Sequence, residues 1–273
     1  MPTLVLPFPA INPVLVQWGP LAIRWYALAY IAGLTLGWLL IRKVVANDRY
    51  WGGAKRPSAA SIDDLLVYCA FGVIIGGRLG DVLFYDPRYY LAHPLDVFKV
   101  WQGGMAFHGG LIGALIGMIL FARRAGAPAL TVTDLCALAA PIGLFFGRIA
   151  NFIRPELWGR PTEAPWAVVF PGTDGLPRHP SQIYEALLEG ALAFVILFAL
   201  ARTGALKRPG LITGAFGIVY GSARIFCEFF REPDPRLEDL GRGLTMGMVL
   251  SAPLIVIGLA LLVASLGRRG QLR

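Results

Sequence analysis

Seven apolar stretches of about twenty residues alternate along the chain with short polar or proline-rich segments, at about 21–41, 62–84, 104–122, 131–150, 179–202, where HPSQIYE opens the span, 210–230 and 244–266. At about 1.5 Å per helical residue, each is long enough to cross a hydrocarbon core of about 30 Å. The pattern predicts an all-α polytopic membrane protein of seven transmembrane helices, folded as one membrane-embedded domain over residues 1–273. Residues 1–20 carry Pro2, Pro7, Pro9, Pro13 and Pro20 and read as an irregular arm hugging the interface. Residues 151–180 form the longest connection and read as a small head segment, in which WAVVF (166–170) suggests a short strand and PGTDG a turn. Ser61 followed by Asp64 has the spacing of a capping box at the start of the second span.

Composition agrees with the pattern and removes the soluble classes. The chain is 56% hydrophobic and only 15% charged, against about 25% charged in an ordinary soluble domain. A net charge of +8 would suggest nucleic acid in a soluble protein. Here the strongly basic turns, Arg42-Lys43, Arg123-Arg124, Lys207-Arg208 and Arg268-Arg269, all follow odd-numbered spans. That asymmetry places them in the cytoplasm, with the N-terminus outside, and leaves no reason to expect a nucleic-acid partner. The first cation is Arg24, so the first span is expected to direct insertion without removal of a leader. Cys69, Cys136 and Cys227 are scattered through apolar runs, and the chain has three histidines. This spacing suits neither a disulfide framework nor a zinc site, and no metal or cofactor is expected.

The same topology puts Arg24, Tyr26, Arg78, Asp81, His108, Arg148, Asn151, Arg224 and Glu228 in the outer parts of their helices, where they are expected to converge. Charges facing lipid are costly, so they should turn toward counterions or an anionic ligand. The densest stretch is GRIANFIRPELWGRPT (147–162), in which Arg148 and Asn151 stand three apart and share a helix face. A guanidinium offers phosphate a planar fork that stays charged in a dry site, which makes Arg148 and Arg224 candidates. Arg148 also reads as a cation snorkelling from a span end, and Arg224 as half of an intrahelical pair with Glu228. His108, within FHGG, reads as a general base or as a hydrogen-bonded structural residue. Tyr26 reads as a site residue or as part of an aromatic belt with Trp18 and Trp25. Glycines recur every four residues at 72, 76 and 80 and at 109, 113 and 117, a spacing for close helix contact. A transporter would also carry intramembrane charge, but near the midplane and often in two related halves. In this chain the charges crowd one face and no repeat is visible. A non-catalytic scaffold would need none of them.

GRIANFIRPELWGRPT resembles the signature of the bacterial prolipoprotein diacylglyceryl transferase family, and FHGG, RHPSQIYE and YGSARIFCEFFREPD match further blocks of that family in order. The resemblance covers nearly the whole chain. It implies a transferase of the bacterial inner membrane that carries out the first step of lipoprotein maturation. Diacylglycerol passes from phosphatidylglycerol to the thiol of the lipobox cysteine in a prolipoprotein signal peptide, a thioether forms, and glycerol-1-phosphate leaves. The implied partners are phosphatidylglycerol, signal peptides with a lipobox cysteine and the surrounding membrane lipids; the arm and head segment are then periplasmic. The implied catalytic residues are Tyr26, His108, Arg148 and Arg224, and the implied substrate-binding residues are Arg148, Asn151, Glu156, Gly159, Arg224 and Glu228. On this reading the nucleophile belongs to the peptide, His108 is the candidate for taking its proton, and Asn151 and Glu156 hold the arginines and the headgroup.

Overall fold

The apolar stretches become long helices in a computed structural model, which describes residues 6–9, 11–233 and 244–267. These helices are α1 (Trp25–Ala46), α2 (Ile62–Phe84), α4 (Phe107–Arg124), α5 (Ala129–Ile153), α6 (Ser181–Arg202), α7 (Leu211–Glu228) and α8 (Met246–Gly267). A short α3 (Pro87–Ala92) lies in the connection between α2 and α4. Six of them, all but α3 and α7, are long and apolar enough to cross a membrane. In α7 the apolar character is diluted by Arg224, Glu228 and three glycines at 214, 217 and 221. The chain is thus a mostly helical, multi-pass membrane protein. Leu34, Phe71, Ile75, Val195 and Val263 are exposed on the outer surface of the bundle, a girdle that lipid rather than water would cover.

Helix α5 is the hub, packed against α1, α4, α6 and α7, while α2 pairs with α4 and α7 with α8. The glycine stripes explain the second contact. A Cβ added at Gly80 would lie 3.0 Å from the Gly109 Cα, and Gly72 and Gly76 face the backbone of Gly113, so the two helices touch main chain to main chain. The apolar core sits at the end that carries the basic turns, around Val44, Trp51, Phe121, Leu135, Leu138 and Ile212. There the wholly buried Asp134 of α5 accepts from the Gly210 and Thr213 amides and from Thr213 Oγ1, each at 2.7 Å. It satisfies the free donors that open α7. The opposite end of the bundle is left to polar groups.

Two local expectations are corrected. The arm is not irregular throughout: β2 (Val14–Trp18) and β3 (Leu21–Arg24) form an antiparallel hairpin, with Val14 opposite Arg24 and Trp18 opposite Leu21. Between Pro13 and Pro20 the run is proline-free and β-branched enough to pair, and Gly19-Pro20 makes the turn. The first helix consequently starts at Trp25, not at residue 21. The capping box also fails, because the 3-10 turn Ala59–Ser61 precedes α2. The side-chain acceptor is Ser58 Oγ, which takes the Ser61 amide at 3.2 Å, while Ser61 Oγ donates to the Ser58 carbonyl. The short strand foreseen in the head segment is present as β4 (Val168–Val169), paired in parallel with β1 (Leu6–Pro7), so arm and head are joined. The basic C-terminal tail and residues 234–243 lie outside the described residues.

Candidate active site, a buried cluster of arginines and glutamates

Three helices deliver opposite charges to one place. Arg148, near the end of α5, places Nε 3.0 Å from Glu185 Oε2 and Nη2 3.1 Å from Glu189 Oε2, both on α6. From α7, Arg224 Nη1 lies 3.1 Å from Glu185 Oε1 and Nη2 is paired closely with Glu228. Arg231, just beyond α7, sends Nη1 to Glu185 Oε1 at 3.1 Å. Three cations thus face three carboxylates. The Glu185 and Glu189 side chains are 0% exposed and the three arginines between 14% and 16%. Buried ions of this kind hold only as a set, since removing one strands its partner in a dry medium.

The backbone of α6 is adapted to this task. From Ala186 to Leu192 it winds as a π-helix, whose i→i+5 bonds fit more residues into a turn than an α-helix does. Glu185 and Glu189, four residues apart, lie on one side of the helix, facing Arg148 of α5 and Arg224 of α7. Glu185 is the more heavily used, with all three arginines within 3.1 Å, whereas Glu189 has Arg148 that close and Arg224 Nη1 3.8 Å from Oε1; among the described residues neither Glu185 Oε2 nor Glu189 Oε1 accepts a hydrogen bond.

Beside the cluster, Asn151 Nδ2 donates to Glu156 Oε1 at 2.6 Å, and Arg154 Nε stands 3.3 Å from the other Glu156 oxygen. The turn after α5 is fastened from α6: Gln182 Nε2 donates to the Glu156 carbonyl at 2.7 Å and Ser181 Oγ to the Leu157 carbonyl at 3.1 Å. These bonds hold Leu157 at φ 58°, a conformation a branched side chain rarely adopts. Gly159 lies where three chain segments cross. Its amide donates to the His179 carbonyl at 2.9 Å, and a Cβ there would sit 2.5 Å from that oxygen and 2.6 Å from the Phe230 carbonyl oxygen. Arg160 then takes the Phe230 carbonyl with its amide and the Arg231 carbonyl with Nε, each at 2.9 Å. Gly159 and Arg160 therefore fix the segment that aims Arg231 at Glu185.

Not all of the expected residues meet. Arg148, Arg224 and Glu228 join the cluster, and Asn151, Glu156 and Gly159 form its neighbouring turn. Tyr26 lies on α1, its ring 5.2 Å from that of Tyr30 and 6.0 Å from the Arg154 guanidinium. His108 stands exposed at the start of α4 against Phe107, and its ring makes no hydrogen bond among the described residues. Arg24 is exposed. Arg78 and Asp81 belong to a different structure: Arg78 is buried and donates to the carbonyls of Val97, Asp96 and Gly103 at 2.9, 2.5 and 2.6 Å, clamping the loop that leads into α4. The expected convergence of all nine residues is thus corrected to separate groups. Topology fixes how deep a residue lies along its helix but not which way round the helix it faces, and the α2–α4 pair looks elsewhere. Asn151 holds Glu156 and not an arginine. Glu185, Glu189 and Arg231 were absent from the expected site although a signal existed, since two carboxylates four residues apart inside an apolar span demand partners.

Long apolar helices around a charge-balanced, buried cluster define a polytopic membrane protein with a polar site built at one end of its bundle. The chain belongs to the prolipoprotein diacylglyceryl transferase family, whose sequence model matches residues 13–264. It is 65% identical over 257 residues to the phosphatidylglycerol–prolipoprotein diacylglyceryl transferase of Methylocella silvestris, covering 94% of each chain. The enzyme of the same name from Beijerinckia indica is 60% identical over 263 residues, 95% of this chain and 96% of the relative. That from Bradyrhizobium diazoefficiens is 51% identical over 276 residues, 100% and 98%.

Proposed function

We propose that this chain transfers the diacylglyceryl group of phosphatidylglycerol to the thiol of a lipobox cysteine in prolipoprotein signal peptides. The carrying observation is the set of three arginines from two helices and the segment beyond them, gathered in a chain whose relatives bear that activity in their names. A carbon–sulfur bond forms as the glycerol carbon–oxygen bond breaks, and the electron pair stays on the phosphate oxygen. The thiol proton balances the glycerol-1-phosphate released. Developing charge on the leaving oxygen is what preorganised guanidinium groups stabilise best, and Arg148, Arg224 and Arg231 retain a small exposed edge from which to do so. A thiol with a pKa of about 8.5 must also lose its proton to attack; His108 is the candidate base, with Tyr26, Asn151, Glu156, Gly159 and Glu228 shaping the binding surface.

The setting follows from the same reading. Helix α7 lies between α5 and α8, and a helix enclosed by others need not be apolar all round to cross with them. We count it as the seventh span of one domain in the bacterial inner membrane. The basic turns then face the cytoplasm, and the arm, the head segment and the cluster's end of the bundle face the periplasm. Substrates already in the bilayer enter sideways. Purified protein given phosphatidylglycerol and a lipobox peptide should add a diacylglyceryl mass to the peptide, and an unmodified peptide would overturn the assignment. Cysteines introduced at Tyr26 or Glu156 should react with an impermeant reagent from the periplasmic side; labelling only from the cytoplasm would reverse the orientation.

A further inference from the structure

We propose that binding of the lipid phosphodiester to the arginine cluster takes up one proton from solvent, and that Glu189 receives it. The inference rests on the functional reading above and deepens it. Among the described residues the cluster is neutral, with Arg148, Arg224 and Arg231 facing Glu185, Glu189 and Glu228. A phosphodiester brought against these arginines adds one negative charge to a dry site whose carboxylates are already there. Like charges a few ångströms apart in such a place do not all stay ionised, and the group least well held takes a proton.

The contacts single out Glu189. Three guanidinium groups lie within 3.1 Å of Glu185: Arg148 Nε is 3.0 Å from Oε2, which accepts no hydrogen bond among the described residues, and Arg224 and Arg231 reach Oε1 at 3.1 Å each. Glu228 is paired closely with Arg224 on its own helix. Glu189 has only Arg148 that close, at 3.1 Å from Oε2, while its buried Oε1 stands 3.8 Å from Arg224 Nη1 and accepts no hydrogen bond among the described residues. Among the described residues the other ionisable groups facing the cluster are Tyr220 and Cys227 from α7 and Tyr30 from α1; helix α8 carries none. A proton on Oε1 turns Glu189 from a repelling anion into a donor for a phosphate oxygen, and it returns to water when the phosphate leaves.

The test is calorimetric titration of the full-length, detergent-purified protein with phosphatidylglycerol, at one pH near neutrality, in buffers of different ionisation enthalpy. The dependence of heat on buffer should give an uptake close to one proton per lipid bound. In Glu189→Gln the lipid should still bind and the uptake should vanish. Wild-type affinity should weaken up to tenfold per pH unit on the alkaline side, and that of Glu189→Gln should stay flat. Should the variant not fold, the infrared difference spectrum of the wild type decides: a protonated carboxylic-acid band must appear on lipid binding. Binding with no proton uptake, or uptake unchanged in Glu189→Gln, overturns this inference alone. Failure of phosphatidylglycerol to bind at all overturns the functional reading beneath it.

Discussion

Arg148 and Glu185 meet 3.0 Å apart across α5 and α6, and the same carboxylate also holds Arg224 and Arg231. Glu185 is therefore the keystone of the ion network. Truncating it leaves Arg231 with no carboxylate partner among the described residues and takes one partner from Arg148 and one from Arg224, around a vacated, buried position. Glu185→Ala should cost about 3–5 kcal/mol of folding stability, read from denaturant or thermal unfolding in detergent. A loss below about 1 kcal/mol would mean that the pairs behave like exposed ones.

Lysine keeps the charge of arginine but not its fork. Arg148→Lys and Arg224→Lys should each lower the transfer rate by roughly tenfold to a hundredfold, about 1–3 kcal/mol of transition-state stabilisation, and the glutamine variants should fall further. The measurement is transfer to a lipobox peptide with folding checked separately. Wild-type rates in both lysine variants would show that the guanidinium geometry is unused.

Gly247, at the start of α8, lies against the Glu228 carboxylate. A Cβ there would fall 2.5 Å from Oε1 and 2.6 Å from Cδ, so Gly247→Ala must push Glu228 away from Arg224. Transfer should drop, and Glu228→Asp, one methylene shorter, should restore part of it in the double variant. A double-mutant cycle reports the coupling; strict additivity would refute the contact.

His108→Gln tests the base directly. If the imidazole takes the thiol proton, the variant should be slow at neutral pH and recover at high pH, where the thiol ionises unaided. A deficit of constant size across that range would assign His108 a positional role only.

His179, in the head segment, has its pKa held below the usual histidine value by burial, beside Tyr184 Oη at 3.1 Å from Nδ1. The folded state thus keeps it neutral while the unfolded chain protonates first, at about 6.5. Because the unfolded state binds more protons in that window, stability should decline as pH falls through it. His179→Gln should flatten the decline between pH values of about 7.5 and 5.5; an unchanged slope would place the sensitivity elsewhere.

The helices were legible because each apolar run is long, and the head strand because WAVVF is rich in β-formers. The hairpin of residues 14–24 was hidden by the prolines around it, which drew attention from the alternating residues between them. At the site, the sequence located Arg148, Arg224 and Glu228 in depth, and an i+4 spacing was enough to pair the last two. It did not reveal that Arg148 and Arg224 share a counterion on a third helix. Glu185 stands near the start of the fifth apolar stretch, and its burial depends on how α6 is rotated against α5. Arg78 shows the reverse: an intramembrane arginine whose hydrogen bonds go to the carbonyls of the neighbouring loop and not to the cluster.

The π-helical turn from Ala186 to Leu192 makes the distance between Glu185 and the rest of α6 a matter of counting. Seven residues of such winding turn through nearly the same angle as about six of regular α-helix, so Glu185 keeps its direction toward the three arginines whether the extra residue is present or not. Deleting one residue there would be absorbed by a return to α winding, whereas deleting one from the regular stretch Ala193–Arg202 would swing everything beyond it by about 100° relative to Glu185.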